Sequence, residues 1–279
     1  MRLVTIRQGG REEAAVVLPE GVAPVREIYG LSEKDADLLT LLQSGRFHEL
    51  REAYARGQQV RGGASSQPTY APLYRRPRKI WGIGLNYVEH AGDLSEVAPV
   101  DEPASFMRPD TTIVGTGDDV VLPAQSERVT AEAELALVIG REARDVPEEH
   151  APSVVAGFTT VLDMTAEDIL RRNPRYLTRS KSFDTFFSFG PELVTPDEIE
   201  DVEALEVSTV LNGEVRRTNT VSNMTFSSWW LVSFHSRVMT LLPGDVISTG
   251  TPGAVVIQEG DVTECRITGF KPLSNPVIR

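Results

Sequence analysis

Apolar and polar residues alternate in strand fashion from the start of the chain, over Met1-Arg-Leu-Val-Thr-Ile-Arg7, and a second apolar run follows at Ala14–Leu18. Ser32, with Asp35 three residues on, makes a capping-box-like start, and Leu38, Leu41, Leu42 and Leu50 continue at helical spacing. This predicts one helix, ended by Gly57, Gly62 and Gly63. From Ile80 onward the period shortens. Short β-type runs at Lys79–Gly84, Leu135–Ile139, Gly157–Leu162, Leu205–Leu211, Val246–Ser248 and Thr263–Gly269 are punctuated by Pro, Gly and turn pairs such as Asn212-Gly213. Only Ala166–Arg172 and Ser227–Thr240 read as helices in this part.

No repeat or low-complexity tract is present. The pattern predicts a β-rich α+β protein, with a small N-terminal α/β domain over 1–74 and a larger β-rich domain over 75–279. Helices do not alternate with strands, which excludes a run of βαβ units. Gly82 and Gly84 give only a GxG, without the third glycine and the helix that a dinucleotide loop needs.

Charge narrows the function classes. Of 279 residues, 28 are Lys or Arg and 40 are Asp or Glu, a formal net charge of −12. A polyanionic surface repels nucleic acid and anionic lipid, so both partner classes are excluded as a first expectation. The charge is also uneven: 13 basic and 9 acidic residues make the stretch to Lys79 +4, while 15 basic and 31 acidic residues make the remainder −16. No run approaches the roughly 18–20 apolar residues of a spanning helix, and the N-terminus lacks the apolar core of a signal peptide, so a cytoplasmic protein is expected. Cys265 is the only cysteine and reads as a small core residue on a strand; His48, His150 and His235 have no chemical context in sequence.

The segment Ala131-Glu-Ala-Glu-Leu-Ala-Leu-Val-Ile-Gly140 carries more information. Strand periodicity puts Leu135, Leu137 and Ile139 on one face, and Glu132 and Glu134 on the other with Ala136 and Val138, roughly 6–7 Å apart at Cα. Two carboxylates leading into an apolar face are costly unless protonated or bound to a cation. Asp163, closing the apolar run Val155–Leu162, offers a third oxygen. Three carboxylates without Cys or paired His select a hard cation, Mg²⁺ or Mn²⁺ first and Ca²⁺ next. The alternative is that both glutamates begin the strand on its solvent side.

Most of Lys79–Val277 resembles the fumarylacetoacetate hydrolase family. The motifs that carry the likeness are Gly84-Leu-Asn-Tyr-Val-Glu-His90, Phe106-Met-Arg-Pro109, Leu122-Pro123, Glu132-Ala-Glu-Leu135, Asp163-Met-Thr-Ala166 and Lys181-Ser-Phe-Asp-Thr-Phe186. They continue in family order with Gly190-Pro191, Asn212-Gly213, Met239–Ile247 and Thr249-Gly-Thr-Pro252. The resemblance implies a mixed β-roll, usually homodimeric. It implies one divalent cation held by Glu132, Glu134 and Asp163, and His90 as general base on a lid segment; to orient that imidazole, Asp93, three residues on, is the best placed carboxylate, with Glu96 in reserve. Lys181, Thr249, Gly250 and Thr251 are implied substrate contacts, although Lys181 has Asp184 as an alternative partner. The family's substrates are small 1,3-dicarbonyl compounds and 2-oxo acids, and its reactions share a metal-stabilised enolate. The expected activity is C–C bond hydrolysis of an acylpyruvate-type substrate. The alternatives are a lyase or isomerase on a 2-oxo acid, and a catalytically silent ligand binder.

Several positions depart from the family pattern. Thr165-Ala-Glu167-Asp168 and Leu170 stand where Ser/Thr-Ala-Arg-Asp and a glutamine are common, so Glu167 reverses the sign of a substrate-facing position and removes a carboxylate clamp. Arg171, Arg172 or Arg175 are candidates to restore that charge. Arg108 replaces a usual Lys before Pro, Arg217 replaces a usual Gln after Asn212-Gly213, and Gly253 follows the Thr-Gly-Thr-Pro turn. Arg108 and Arg217 join Glu167 as expected substrate-binding residues.

Overall fold

The computed structural model describes residues 1–32, 35–56, 68–88 and 99–279. The N-terminal runs become β1 (Arg2–Gln8), β2 (Arg11–Leu18) and β3 (Gly21–Pro24), and the first run after residue 79 becomes β4 (Ile80–Gly84). Then come β5 (Ala104–Arg108), β6 (Ile113–Val114), β7 (Val120–Val121), β8 (Val129–Ile139), β9 (Val155–Ala166), β10 (Phe187–Phe189) and β11 (Glu192–Val194). The last six are β12 (Glu206–Leu211), β13 (Glu214–Thr220), β14 (Val246–Ser248), β15 (Val255–Ile257), β16 (Val262–Ile267) and β17 (Leu273–Ile278). They form a large mixed sheet in the order β3-β2-β1-β11-β9-β8-β14-β4-β5, joined also by β6, β10 and β15, and a five-stranded sheet in the order β13-β12-β16-β17-β7.

β8 and β9 are the axis of the fold. Every residue of both is buried, so apolar residues occupy both faces and the polar residues they carry, among them Glu132, Glu134 and Asp163, are enclosed as well. Val129, Ala131, Ala133, Leu135, Leu137 and Ile139 point into one core, shared with Val207, Cys265 and Ile267 of the smaller sheet and with Leu231 and Val232 of the helix Ser228–Val238. Ala136, Val138 and Val161 point into a second core, with Leu3, Val16, Leu41, Leu42 and Phe47. The N-terminal residues therefore pack against the same ribbon, and β1 is hydrogen-bonded to β11 within the large sheet.

The predicted single N-terminal helix is two. Asp37 caps Leu38–Gln43 by accepting from Thr40 N (3.0 Å), Gly45 turns the chain at φ +77°, and a second helix runs over Arg46–Ala55. Ser32 instead donates to Asp35 Oδ2 (2.7 Å). A leucine pattern does not reveal a one-residue left-handed break, because Ser44-Gly45 interrupts the helix without interrupting its apolar face. Gly57, Gly62 and Gly63 lie outside the described residues. Cys265 is buried on β16 as expected, and burial pushes its thiol up to about 12, where it is inert.

Candidate functional site

Antiparallel pairing sets Glu132 of β8 directly opposite Asp163 of β9, and Glu134 opposite Val161. Side chains on facing residues of such a pair project from the same face, so the strand period of two collects Glu132, Glu134 and Asp163 on the side of the second core. One carboxylate oxygen from each lies within 4.8 Å of the others, and all three residues are buried.

Their partners are specific. Glu134 Oε2 accepts from Ser248 Oγ and from Gly250 N (3.0 Å). Glu132 Oε1 accepts from Thr165 Oγ1 (2.8 Å) and Thr130 Oγ1 (3.3 Å), and its Oε2 accepts from Lys181 Nζ (2.9 Å). Asp163 Oδ1 pairs with Lys181 Nζ (3.0 Å) and with the Arg108 guanidinium. Asp163 Oδ2 is buried with no hydrogen-bond partner among the described residues. Phe106 lies under Lys181 Nζ at 5.1 Å and Phe187 under Arg108 at 5.1 Å, so ring faces replace part of the hydration these cations have lost.

Burial, with Asp163 close by, raises the Glu134 carboxyl to about 8. Burial acts to lower the Lys181 ammonium, but Asp163 and Glu132 outweigh it and hold it above its ordinary value. With Glu134 protonated, the charges of Glu132, Asp163, Lys181 and Arg108 cancel. An orphaned carboxylate oxygen, a carboxyl that keeps its proton at neutral pH and an all-oxygen donor set fit a hard divalent cation. With such a cation bound and Glu134 ionised, the five side-chain and metal charges leave the site at +1, suited to a small anion.

This arrangement carries a pH signature. Below about pH 8 the cation must displace a proton from Glu134, so affinity for Mg²⁺ or Mn²⁺ is expected to rise by up to tenfold per pH unit toward pH 8 and then level off. In the metal-free protein the sign is opposite. A carboxyl raised on folding stabilises while neutral, and that contribution is lost as pH rises through about 8. Calorimetric titration at several pH values, with proton release read from buffers of different ionisation heat, checks both.

The turn after β14 supports Glu134 from the other edge of β8. Thr249 Oγ1 donates to Leu135 O (2.8 Å), and Thr251 Oγ1 and the Gly253 backbone hydrogen-bond each other, so both hydroxyls are used in holding the turn. Gly250 has φ +100°, and a Cβ there meets Asn86 Cβ at 2.8 Å. Asn86 in turn donates to Thr249 O (2.7 Å) and Phe226 O (3.1 Å). Gly250→Ala is expected to cost about 2–3 kcal/mol and, by moving the amide off Glu134, to weaken cation affinity roughly tenfold; thermal melts and metal titration read the two effects.

The remaining sequence candidates divide by position. Arg108 is buried and directed at Asp163 and at Phe186 O (2.7 Å), so its guanidinium is engaged with a carboxylate of the triad. Lys181 pairs with Glu132 and Asp163 and not with Asp184. Glu167 is buried, with Oε2 bound by Arg128 Nε and Oε1 by Arg171 Nη2 (3.0 Å). Arg217 lies on exposed β13 with its stem against Gly253, where a Cβ would meet its Cδ at 2.6 Å; the two departures are thus sterically coupled. His90, Asp93 and Glu96 lie outside the described residues. Sequence reasoning did not single out Thr130, Thr165 and Ser248. The two threonines alternate with the face-defining alanines and carry a readable signal, whereas Ser248 reaches Glu134 from another strand.

Comparison with known proteins places this geometry. Residues 79–278 match the family described as fumarylacetoacetate (FAA) hydrolase C-terminal. The human mitochondrial oxaloacetate tautomerase FAHD2A is 37% identical over 222 residues, covering 76% of this chain and 70% of the relative. The structure of maleylpyruvate hydrolase from Sphingobium sp. SYK-6 in complex with manganese(II) and pyruvate is 27% identical with a TM-score of 0.80, covering 100% of this chain and 99% of that one. The 5-carboxymethyl-2-hydroxymuconate delta-isomerase of Mycobacterium smegmatis is 32% identical with a TM-score of 0.76, covering 100% and 99%. Among the described residues no helix is long and apolar enough to cross a membrane. With its sheet architecture and its buried Glu132/Glu134/Asp163 cluster, the chain belongs to the fumarylacetoacetate hydrolase family.

Proposed function

We propose that this protein is a divalent-metal-dependent enzyme acting on a small 2-oxo acid or 1,3-dicarbonyl compound, and that it hydrolyses a C–C bond in an acylpyruvate-type substrate. The observation that carries this reading is the triad of buried carboxylates with one oxygen unpartnered, flanked by two buried cations. A bound Mg²⁺ or Mn²⁺ would supply positive charge that stabilises enolate character in a 2-oxo acid. Glu132, Glu134 and Asp163 would hold the cation. Lys181 and Arg108 neutralise surplus carboxylate charge, so that an anionic substrate is admitted, and Lys181 adds a donor toward developing negative charge. His90, oriented by Asp93, takes a proton from water for attack on the distal carbonyl.

A second reading is proton transfer alone, keto–enol tautomerisation or double-bond isomerisation of a 2-oxo diacid. It is favoured by the likeness to an oxaloacetate tautomerase and to a delta-isomerase. Both readings share the enolate and differ in whether water enters the product. Acylpyruvate and freshly dissolved oxaloacetate, each incubated in H₂¹⁸O with Mg²⁺, separate them. Label in a newly formed carboxylate supports hydrolysis; accelerated decay of the oxaloacetate enol absorbance without chain cleavage supports tautomerisation. Turnover of neither, with or without metal, overturns both.

A further inference from the structure

The face of β8–β9 that carries the carboxylates does not end with them. The next pair along is Thr130 opposite Thr165, and beyond it Glu167 N donates to Arg128 O (2.9 Å), extending the ladder by one step. Val129 and Ala131 point into the opposite core, so Arg128 follows Thr130, Glu132 and Glu134 in projecting from the triad's face. Across the ribbon Arg128 Nε binds Glu167 Oε2.

This arginine is fixed at its backbone as well. Ser126 Oγ accepts from Arg128 N (3.3 Å) and donates its proton to Asp168 Oδ1 (2.5 Å), with Arg128 O 3.2 Å from the same hydroxyl. Asp168 is itself paired with Arg172 (3.1 Å). Glu167 keeps only 9% of its side chain exposed, whereas Arg128 keeps 44%, and Arg128 Nη1 and Nη2 make no hydrogen bond among the described residues. A buried carboxylate thus holds the inner edge of a guanidinium whose outer fork is free. Since Glu167 also binds Arg171, one negative charge faces two positive ones, and this corner is net cationic.

We propose that Arg128, aimed by Glu167, receives the anionic group at the end of the substrate remote from the metal, so that the preferred substrate is a 2-oxo diacid and not a 2-oxo monoacid. The proposal rests on the metal-chelating reading above. It also accounts for Glu167 standing at a position where the family resemblance implies an arginine: the clamp's charge has moved across the ribbon to the residue that precedes β8. The planar fork of a guanidinium matches a carboxylate in two parallel hydrogen bonds. Length follows from the ribbon. Four residues of strand separate Arg128 from Glu132 by about 13 Å at Cα, and a metal–oxygen bond of about 2 Å with a charge-assisted hydrogen bond of about 2.8 Å leaves roughly 8–9 Å. At about 3.4 Å per three bonds of extended chain, that is seven or eight bonds, the span between the outer oxygens of a seven-carbon diacid.

The test is binding to the Mn²⁺-loaded protein of three probes: oxalate, 2-oxoheptanoate and 2-oxoheptanedioate. Wild type is expected to bind the diacid on the order of tenfold or more tighter than the monoacid. In Arg128→Ala that preference disappears while oxalate affinity stays within about twofold; Arg128→Lys restores part of it, and Glu167→Gln reduces it without abolishing metal binding. A diacid preference that survives Arg128→Ala, or its loss together with oxalate binding in a variant that still melts cooperatively, overturns the assignment. Failure of wild type to bind oxalate with metal overturns the underlying metal reading instead, and with it this one.

Discussion

Replacing Asp163 with asparagine is expected to abolish divalent-cation binding and to lower turnover by on the order of 10³-fold. Asp163 is the carboxylate that pairs with both buried cations. Oδ1 meets Lys181 and Arg108, and Oδ2 has no hydrogen-bond partner among the described residues. Asparagine keeps the shape but removes the charge, so the cation loses a ligand and two buried positive groups lose half of their counter-charge. Leaving buried cations uncompensated costs about 3–5 kcal/mol, and the metal-free variant is expected to melt well below wild type. Mn²⁺ electron paramagnetic resonance reads binding directly, and thermal unfolding with and without metal separates the two effects. Cooperative folding with Mn²⁺ affinity at the wild-type level would remove Asp163 from the metal site.

The second large effect is opposite in sign for the metal. Lys181→Met removes a buried ammonium that lies 2.9 Å from Glu132 and 3.0 Å from Asp163. The carboxylates then repel one another, and the metal-free protein is expected to lose about 3 kcal/mol of stability. A dication relieves that repulsion, so Mg²⁺ and Mn²⁺ bind the variant more tightly than wild type. The anionic substrate loses a cation and a hydrogen-bond donor, and kcat/KM falls about 10²-fold. Tighter metal with weaker oxalate is the signature to seek by calorimetry. Unchanged oxalate affinity would mean that Lys181 serves only the carboxylates.

These effects trace to features of unequal legibility. The strand face holding Glu132 and Glu134 was readable because a period of two needs no partner strand: Ala136 and Val138 enter the second core, as their alternation with Leu135 and Leu137 requires. Asp163 was readable as the end of an apolar run, but its place opposite Glu132 depends on register, which local pattern does not encode. Arg108 shows the limit. Its motif places it beside the site, yet only the pairing of β4 with β5 and the position of Phe187 decide that its guanidinium is buried against Asp163. Glu167 shows another. A reversed charge was visible in sequence, while the arginine that answers it, 39 positions earlier, is found only once β8 and β9 are aligned.

Net charge has acquired a more local meaning. The −12 of the whole chain predicts nothing about the site, because Lys181 and Arg108 bring the metal-free cluster to neutrality and a bound dication brings it to +1. On the proposed function, these carboxylates hold a cation that in turn holds a 2-oxo acid. Titrating metal-stripped protein with Mn²⁺ in the presence and absence of oxalate tests it most directly. One tight Mn²⁺ per chain, and oxalate binding that vanishes on chelation, is the result predicted; oxalate binding that persists unchanged in the stripped protein, or no Mn²⁺ bound at a stoichiometry near one, would contradict it.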